Sequence, residues 1–311
     1  MSQLETPVAL IVFNQPDVTR RVFSAIAAAR PERLLVIADA PRDGKAGEFE
    51  RCEEVKQIVG NIDWPCKVET NFAEKNMGPG ARIISGLDWV FSLVEEAIVL
   101  EHDCLPDPTF FPFCAEMLKR YRDRPQIGYI TGFNPLERSF PFRYSYYFTS
   151  VSFLWGWATW RRAWEQYDRH LEDWPQVKQD GLLKLLFPDK NVVAYWSSAF
   201  DGMHDGTGPD TWDYQFTYTC WTRNLLGILP RRNLIQYIGF YPEAVHTTRR
   251  DPDLDLGSGP LSFPLVHPPA ITAWPQHAMQ AQRHFHARNL LRRVHRRLMM
   301  EFRLIQTSSR A

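Results

Sequence analysis

The sequence contains none of the short signatures that mark the commonest enzyme chemistries. It has no G-x-G-x-x-G, no Walker loop, no G-x-S-x-G elbow and no H-E-x-x-H pair. Each of those motifs supplies a backbone or ligand geometry that its reaction needs. Dinucleotide, phosphate-loop, serine-hydrolase and zinc-protease readings therefore lose their usual support. Cysteine is sparse, with five residues (Cys52, Cys66, Cys104, Cys114 and Cys220) and no C-x-x-C pair. An odd, irregular set argues against a disulfide framework or a zinc site and fits a reducing compartment. No apolar run reaches the roughly 20 residues of a membrane span, and the opening MSQLETPVALIVFNQP lacks a basic leader. The expectation is a cytosolic protein. Charge of one sign is missing too: Lys plus Arg number 36 and Asp plus Glu 36, so no nucleic-acid partner is expected.

What is present is aromatic and strand-rich. The 311 residues suffice for one large α/β domain or two smaller ones. Many of the 11 Trp fall between Trp155 and Trp221. Trp clusters build cores, but their faces also stack on sugar rings, and composition leaves both open. Val8 to Phe13, Leu34 to Ile37, Cys66 to Glu69 and Ala97 to Leu100 read as strands, the continuous apolar runs as strands buried on both faces. Helical spacing over 18–29, 49–59 and 81–91 separates them. Such alternation predicts βαβ units and a parallel sheet, whose ligands sit beyond the carboxyl ends of the strands. Asn14, Asp39 and Asp103 all fall at or just past such ends. After Pro125 the pattern predicts a strand over IGYITGF and an aromatic strand and loop over SYYFTSVSFLWGWATW, then one or two helices over 172–195, a helix over 214–225 and a strand over 226–229. Residues 251–276 read as a Pro-rich arm or linker.

The run AIVLEHDCLPDP, residues 97–108, carries the sharpest signal. A buried strand ends in Glu101, His102 and Asp103, and buried carboxylates are costly without partners. They either cap the Pro-rich turn that follows or face a cation or phosphorylated ligand in a cleft. A nucleoside diphosphate-sugar suits the second reading. Its diphosphate would be repelled by acids alone, and Mg²⁺ or Mn²⁺ bridges the two with one or two carboxylates plus phosphate oxygens. The last stretch, RHFHARNLLRRVHRRLMMEFRL, predicts a basic helix with Leu290, Leu291, Val294, Leu298 and Phe302 on one face. That stripe either packs on the body of the protein or attaches to an anionic membrane surface.

Several stretches together resemble GT-A glycosyltransferases, particularly enzymes similar to N-acetylglucosaminyltransferase I and the bacterial hemolytic-protein-like nucleotide-diphospho-sugar transferases. They are VALIVFNQPDVTRRVF, LLVIADAPR, NMGPGARIISGLDWVF, IVLEHDCLPDPTFFPFC, FLWGWATWRRAW, TWDYQF and IGFYPEAVHTT, which cover most of residues 7–248. The resemblance implies an α/β GT-A fold with a mixed, mostly parallel sheet flanked by helices and a C-terminal helical extension. It implies a transferase domain over 1–250, with a nucleotide half (7–125) and an acceptor and catalytic half (126–250), then an arm and basic helix over 251–311. The donor would be a nucleotide-diphosphate-sugar, and the acceptor a glycan or glycolipid of cell-surface polysaccharide assembly.

The resemblance also implies residue roles. Asp39 would contact the nucleotide base, Asn14 would lie by base and ribose, and Arg82 would meet the diphosphate unless it is an exposed helix Arg. Asp103 would hold the metal and Glu101 would orient ribose or sugar hydroxyls. His102 departs from the family, which has an acid there; it keeps a hydrogen-bonding role toward ribose but removes a negative charge. His246 would lie near metal or phosphate. Asp213 would be the catalytic base, with Asp210 as fallback, although Asp213 is also good helix-start chemistry. Trp155, Gly156 and Trp157 would line the sugar pocket, or simply pack. Two other classes stand beside this reading. A non-catalytic sugar- or nucleotide-binding protein is motivated by His102. A sugar nucleotidyltransferase is disfavoured because VALIVFNQP lacks a Gly-rich basic loop.

Overall fold

Apolar runs bounded by turn residues become strands of one eight-stranded sheet. The computed structural model describes residues 3–137, 143–240 and 255–273. In the first half strands and helices alternate: β1 (Val8–Val12), α1 (Pro16–Ala29), β2 (Arg33–Ala38), α2 (Glu48–Gly60), β3 (Lys67–Phe72), α3 (Pro79–Leu93) and β4 (Glu96–Glu101). These four strands lie in the order β3-β2-β1-β4, all parallel. The alternation favours this, because a parallel pair needs a crossover long enough to hold a helix.

The chain then continues through β5 (Cys104–Pro106), α4 (Phe110–Tyr121), β6 (Ile127–Thr131), β7 (Tyr146–Thr149), β8 (Trp157–Trp160) and α5 (Arg161–Trp164). Next come α6 (Trp174–Asp180), α7 (Leu182–Leu186), α8 (Lys190–His204), α9 (Asp213–Thr222), β9 (Leu226–Pro230) and β10 (Ile235–Tyr237). β8 runs antiparallel between β4 and β6, β9 lies parallel to β6, and antiparallel β7 forms the edge. The fold is therefore a mixed, mostly parallel α/β sheet flanked by helices, and one sheet runs through both expected halves. A separate ribbon pairs β5 with β10, setting Tyr237 opposite Cys104.

Strand alternation divides the core in two. Val8, Leu10 and Val12 join one cluster with Val18 and Val22 of α1, Val55 of α2 and the aromatic face of α4. Ala9 and Ile11 join the other, with Leu87 of α3, Trp164, Trp174 and Phe216. Most of the Trp cluster is core: Trp157, Trp160, Trp164, Trp174, Trp212 and Trp221 are all buried.

The structure departs from the sequence reading at two places, and the arm expected after residue 251 lies on the body. The Pro-rich stretch after Asp103 holds β5 and α4 rather than a plain turn. Pro112 falls in the first turn of α4, where a missing N–H costs little. Asp107 Oδ1 stabilises that turn by accepting from the Thr109 N–H and hydroxyl, so Glu101 and Asp103 are not needed as its caps. The region expected to hold one or two helices holds three, broken at Gly181 (φ +77°) and around Pro188. Residues 255–273 form an arm on the body: Leu261 and Leu265 are buried, and Ala273 bridges Phe148. Among the described residues no helix is long and apolar enough to cross a membrane. His246 and the basic C-terminal stretch lie outside the described residues.

Gly156 is a backbone requirement. Its φ is +59° and a Cβ there would strike Ile235. A left-handed non-glycine residue costs about 1–2 kcal/mol and overpacking about 1–3 kcal/mol. Gly156→Ala should therefore lower unfolding free energy by about 2 kcal/mol or more, read as a lower urea midpoint with an unchanged slope.

Candidate functional site

The carboxyl ends of β1, β2 and β4 open onto one cleft. Parallel pairing sets Ile11 opposite Glu101, and the His102 N–H donates to the Ile11 carbonyl at 2.9 Å. That bond fixes the departure of Glu101-His102-Asp103 from the sheet. A cavity of about 190 Å³ over these ends is lined by Asn14, Asp39, Arg42, Glu101, His102 and Asp103, among others. A second cavity of about 370 Å³ continues from it beneath the start of α9, where Trp155, Thr211, Asp213 and Tyr214 contribute. Pro79, Ile83, Glu101, Asp103 and Tyr237 line both. Glu101 and Asp103 thus stand where two chambers meet.

Their electrostatics are unusual. Burial, and then the negative charges of Asp103 and Asp213, push the Glu101 carboxyl up to about 8. Three carboxyl groups therefore influence one another across the junction. Asp103 makes no ion pair among the described residues. Its carbonyl accepts from the Ile238 N–H at 2.8 Å, and Cys104 Sγ lies 3.6 Å from its Oδ1. Beside it, a Cβ on Gly239 would come within 2.6 Å of Asp103 Oδ2 and of the Tyr237 hydroxyl. Only glycine there leaves the carboxylate its niche. Among the described residues no three His, Cys, Asp or Glu side chains form a protein-only metal cage. One or two carboxylates open to a cavity fit Mg²⁺ or Mn²⁺ instead, since those ions keep waters and take phosphate oxygens.

The remaining sequence-expected residues divide into cleft walls and scaffolding. Asp39 is in the wall, but its carboxylate accepts from the N–H groups of Ala40, Met77 and Gly78 and from Asn76 Nδ2, at 2.9–3.1 Å. Burial raises its pKa despite these bonds. Its first task is to hold the 76–78 loop. Arg82 is corrected more sharply. It is 4% exposed, not an exposed helix Arg, and its guanidinium is occupied by the Ala38 carbonyl, Ser85 Oγ and Asn71. It ties α3 to the ends of β2 and β3, and a diphosphate would have to compete with those acceptors.

Asp213 is exposed at the start of α9 and faces the second cavity. It is the first helical residue rather than the N-cap, which is Trp212. Its Oδ1 accepts from Thr211 Oγ1 at 2.5 Å and the Tyr214 N–H at 3.1 Å. Asp210 does not line that cavity; its Oδ1 accepts from the Gly80 N–H at 3.1 Å and so caps α3. Of the L-W-G-W segment, Leu154 and Trp155 line the cleft. Trp157 stacks on Trp212 at 5.2 Å inside the core, and Gly156 meets the backbone requirement described above, so neither is a pocket residue.

Sequence reading missed Arg42 and Glu48. Glu48 is 1% exposed at the start of α2. It accepts from Asn14 Nδ2 at 2.8 Å, from the Arg42 N–H at 2.7 Å and from the Arg42 guanidinium at 2.5 Å. The loop APRDGKAGE has no periodicity that would show these bonds. The only available signal was a Glu in the first turn of a helix, which is common for reasons of the helix dipole.

Arg42 above all, with Asn14, holds the Glu48 carboxyl down at about 2, below its ordinary 4.5. A depressed native pKa gives stability that is present above about 4.5 and is lost as pH falls toward about 2. Glu48→Gln should remove about 1–2 kcal/mol at neutral pH, the scale of a charge-assisted bond to a half-exposed partner. It should also flatten the fall of melting temperature between pH 4.5 and 2. An unchanged acid limb in a pH series of thermal melts would refute the assignment.

No family model matches the chain, and no curated protein matches it. Among solved structures it is similar to a mannosyltransferase of Pyrobaculum calidifontis in complex with GDP-Man and Mn²⁺, at 10% identity and TM-score 0.37, over 71% of this chain and 70% of that one. It is similar to a UDP-glucose pyrophosphorylase complexed with UDP-glucose at 11% identity and TM-score 0.27, over 48% and 64%. A third likeness, to a 4-diphosphocytidyl-2C-methyl-D-erythritol synthase of Anaerococcus prevotii, has 8% identity and TM-score 0.32, over 52% and 76%. Likenesses this remote assign no activity, and the function has to be argued from the cleft.

Proposed function

We propose that the chain is a divalent-cation-dependent glycosyltransferase of the GT-A kind, with N-acetylglucosaminyltransferase I-like site residues. It would move a sugar from a nucleotide-diphosphate-sugar to a hydroxyl of a glycan or glycolipid, with inversion. The observation that carries this reading is the pair of cavities joined at Glu101 and Asp103. A transferase needs two substrates in adjoining chambers, with the reacting carbon at their junction.

The donor occupies the chamber over β1, β2 and β4. Its walls hold the acids Asp39, Glu101 and Asp103, while the two guanidiniums present, Arg42 and Arg82, are already matched to Glu48 and to carbonyls and Asn71. Such a chamber repels a bare diphosphate, so Mg²⁺ or Mn²⁺ held by Asp103 is part of the proposal. When bound, the ion stabilises the charge that develops on the departing diphosphate. Asn14 and His102 offer hydrogen bonds to ribose or base, and Glu101 to ribose or donor-sugar hydroxyls. Trp155 offers a face to a sugar ring.

The acceptor occupies the second chamber. Its hydroxyl oxygen attacks the anomeric carbon as the bond from that carbon to the diphosphate oxygen breaks. Asp213 takes the hydroxyl proton. Thr211 and the Tyr214 N–H orient its carboxylate through Oδ1.

Two substitutions separate the roles. Asp103→Ala should abolish cation-dependent donor binding while the melting temperature in the absence of ligand is kept. Calorimetry showing undiminished nucleotide-sugar affinity with Mn²⁺ would sink the metal assignment. Asp213→Asn should keep donor binding and lower turnover about 10²–10⁴-fold, the usual range for a general base. Near wild-type turnover would show that the base lies elsewhere. Slow donor hydrolysis without acceptor distinguishes an enzyme from a binding protein on the same scaffold, because water can react only in an intact site.

A further inference from the structure

Away from the cleft, α1 and α2 lie side by side and leave a groove of about 1050 Å³. Its floor and walls include Phe49, which is 60% exposed, and Ile58. Around them stand Glu50, Glu53, Glu54 and Asp63. Arg20, the one cation lining it, is paired with Glu54 at 3.0 Å, and Lys56 nearby is paired with Glu53 at 2.7 Å. Glu50 and Asp63 make no ion pair among the described residues. A groove with an exposed aromatic ring and surplus acid suits a basic, amphipathic segment.

The chain supplies one. Residues 274–311 contain eight Arg and a single acidic residue, Glu301. Residues 1–273 contain 28 Lys plus Arg against 35 Asp plus Glu. The overall neutrality of the protein is thus the sum of an acidic body and a basic tail. We propose that residues 283–304 dock in the α1–α2 groove of the same chain. Leu290, Val294, Leu298 and Phe302 recur every fourth residue and would cover Phe49 and Ile58, while Arg293 and Arg297 flank that row and meet the acids and Arg292 and Arg296 face away from it.

The reach is sufficient. Ala273 bridges Phe148 of β7, five strands from β1 in the sheet order, or about 24 Å at about 4.8 Å per strand. The nine residues 274–282 extend to about 30 Å. Leu261 and Leu265 share a core cluster with Val18, Val22 and Val55, so the arm already lies on the face that α1 and α2 cover.

The test uses the full chain carrying Arg293→Lys and Arg297→Lys, which keeps the charge and adds two amines beside the apolar row. Zero-length carbodiimide coupling followed by peptide mapping should join those amines, within monomers, to Glu50, Glu53, Glu54 or Asp63. The yield should be at least about five times that at any other carboxylate. It should fall in about 1 M salt, where the Debye length is about 3 Å. Coupling mainly to other carboxylates, or only between two molecules, overturns the proposal. So does sedimentation of the full chain with phosphatidylserine vesicles at a level matching the free 282–311 peptide, since that would make the tail a membrane contact.

Discussion

Like charges held close together in a partly desolvated place constrain everything around them. Glu101 and Asp103 stand at the junction of two cavities with Asp213 in the second, and the first of them is driven toward its protonated form by burial and by the other two. Packing alone gives no reason to bring three acids together. The proposed dication with a diphosphate would supply one, turning mutual repulsion into shared coordination. The niche that Gly239 leaves for Asp103 points the same way. A residue with a Cβ would displace the carboxylate that stands between the chambers.

Around this junction lies a layer of charged residues that bind the protein to itself. Asp39 holds the 76–78 loop, Arg82 joins α3 to β2 and β3, Asp210 caps α3, and Glu48 orients Asn14 and Arg42. All four belong to loops or helix ends, where backbone groups lack partners within their own element. Side chains, three of them buried and Asp210 exposed, fill those vacancies, so the cleft walls are fixed before any ligand arrives. That arrangement would serve the proposed transfer, since a preorganised wall need not reorganise as charge moves. It also explains why a buried Arg beside a proposed diphosphate site is not automatically a phosphate ligand.

The sequence made some of this legible and hid the rest for physical reasons. Buried parallel strands are continuous apolar runs, so β1, β2 and β4 and the polar residues at their ends could be read directly. The placement of Glu101 and Asp103 on one cleft edge follows from that register. Helix α4 was hidden by Pro106, Pro108 and Pro112, although prolines before and inside a first turn leave a helix intact. Trp157 and Trp155 are two residues apart, and strand alternation should put them on one face. The left-handed backbone of Gly156 breaks that alternation, leaving one Trp in the cleft and the other in the core. Arg42 and Glu48 were invisible because a loop has no period, and only the fold shows which of its charges turn inward.

The two halves of the cleft differ in what they ask of a ligand. In the proposed reading the donor chamber has acids whose neighbouring guanidiniums are already engaged, so an anion would enter with its own cation. The acceptor chamber has Asp213 exposed beside Trp155, Thr211 and Tyr214, a setting of ring faces and hydroxyls around one carboxylate. Such a wall favours a neutral polyhydroxylated molecule over an anionic one. The order of events follows from this asymmetry: once a cation and diphosphate fill the junction, Glu101 and Asp103 cease to repel Asp213. Donor first and acceptor second is therefore the sequence of binding that the charge distribution favours.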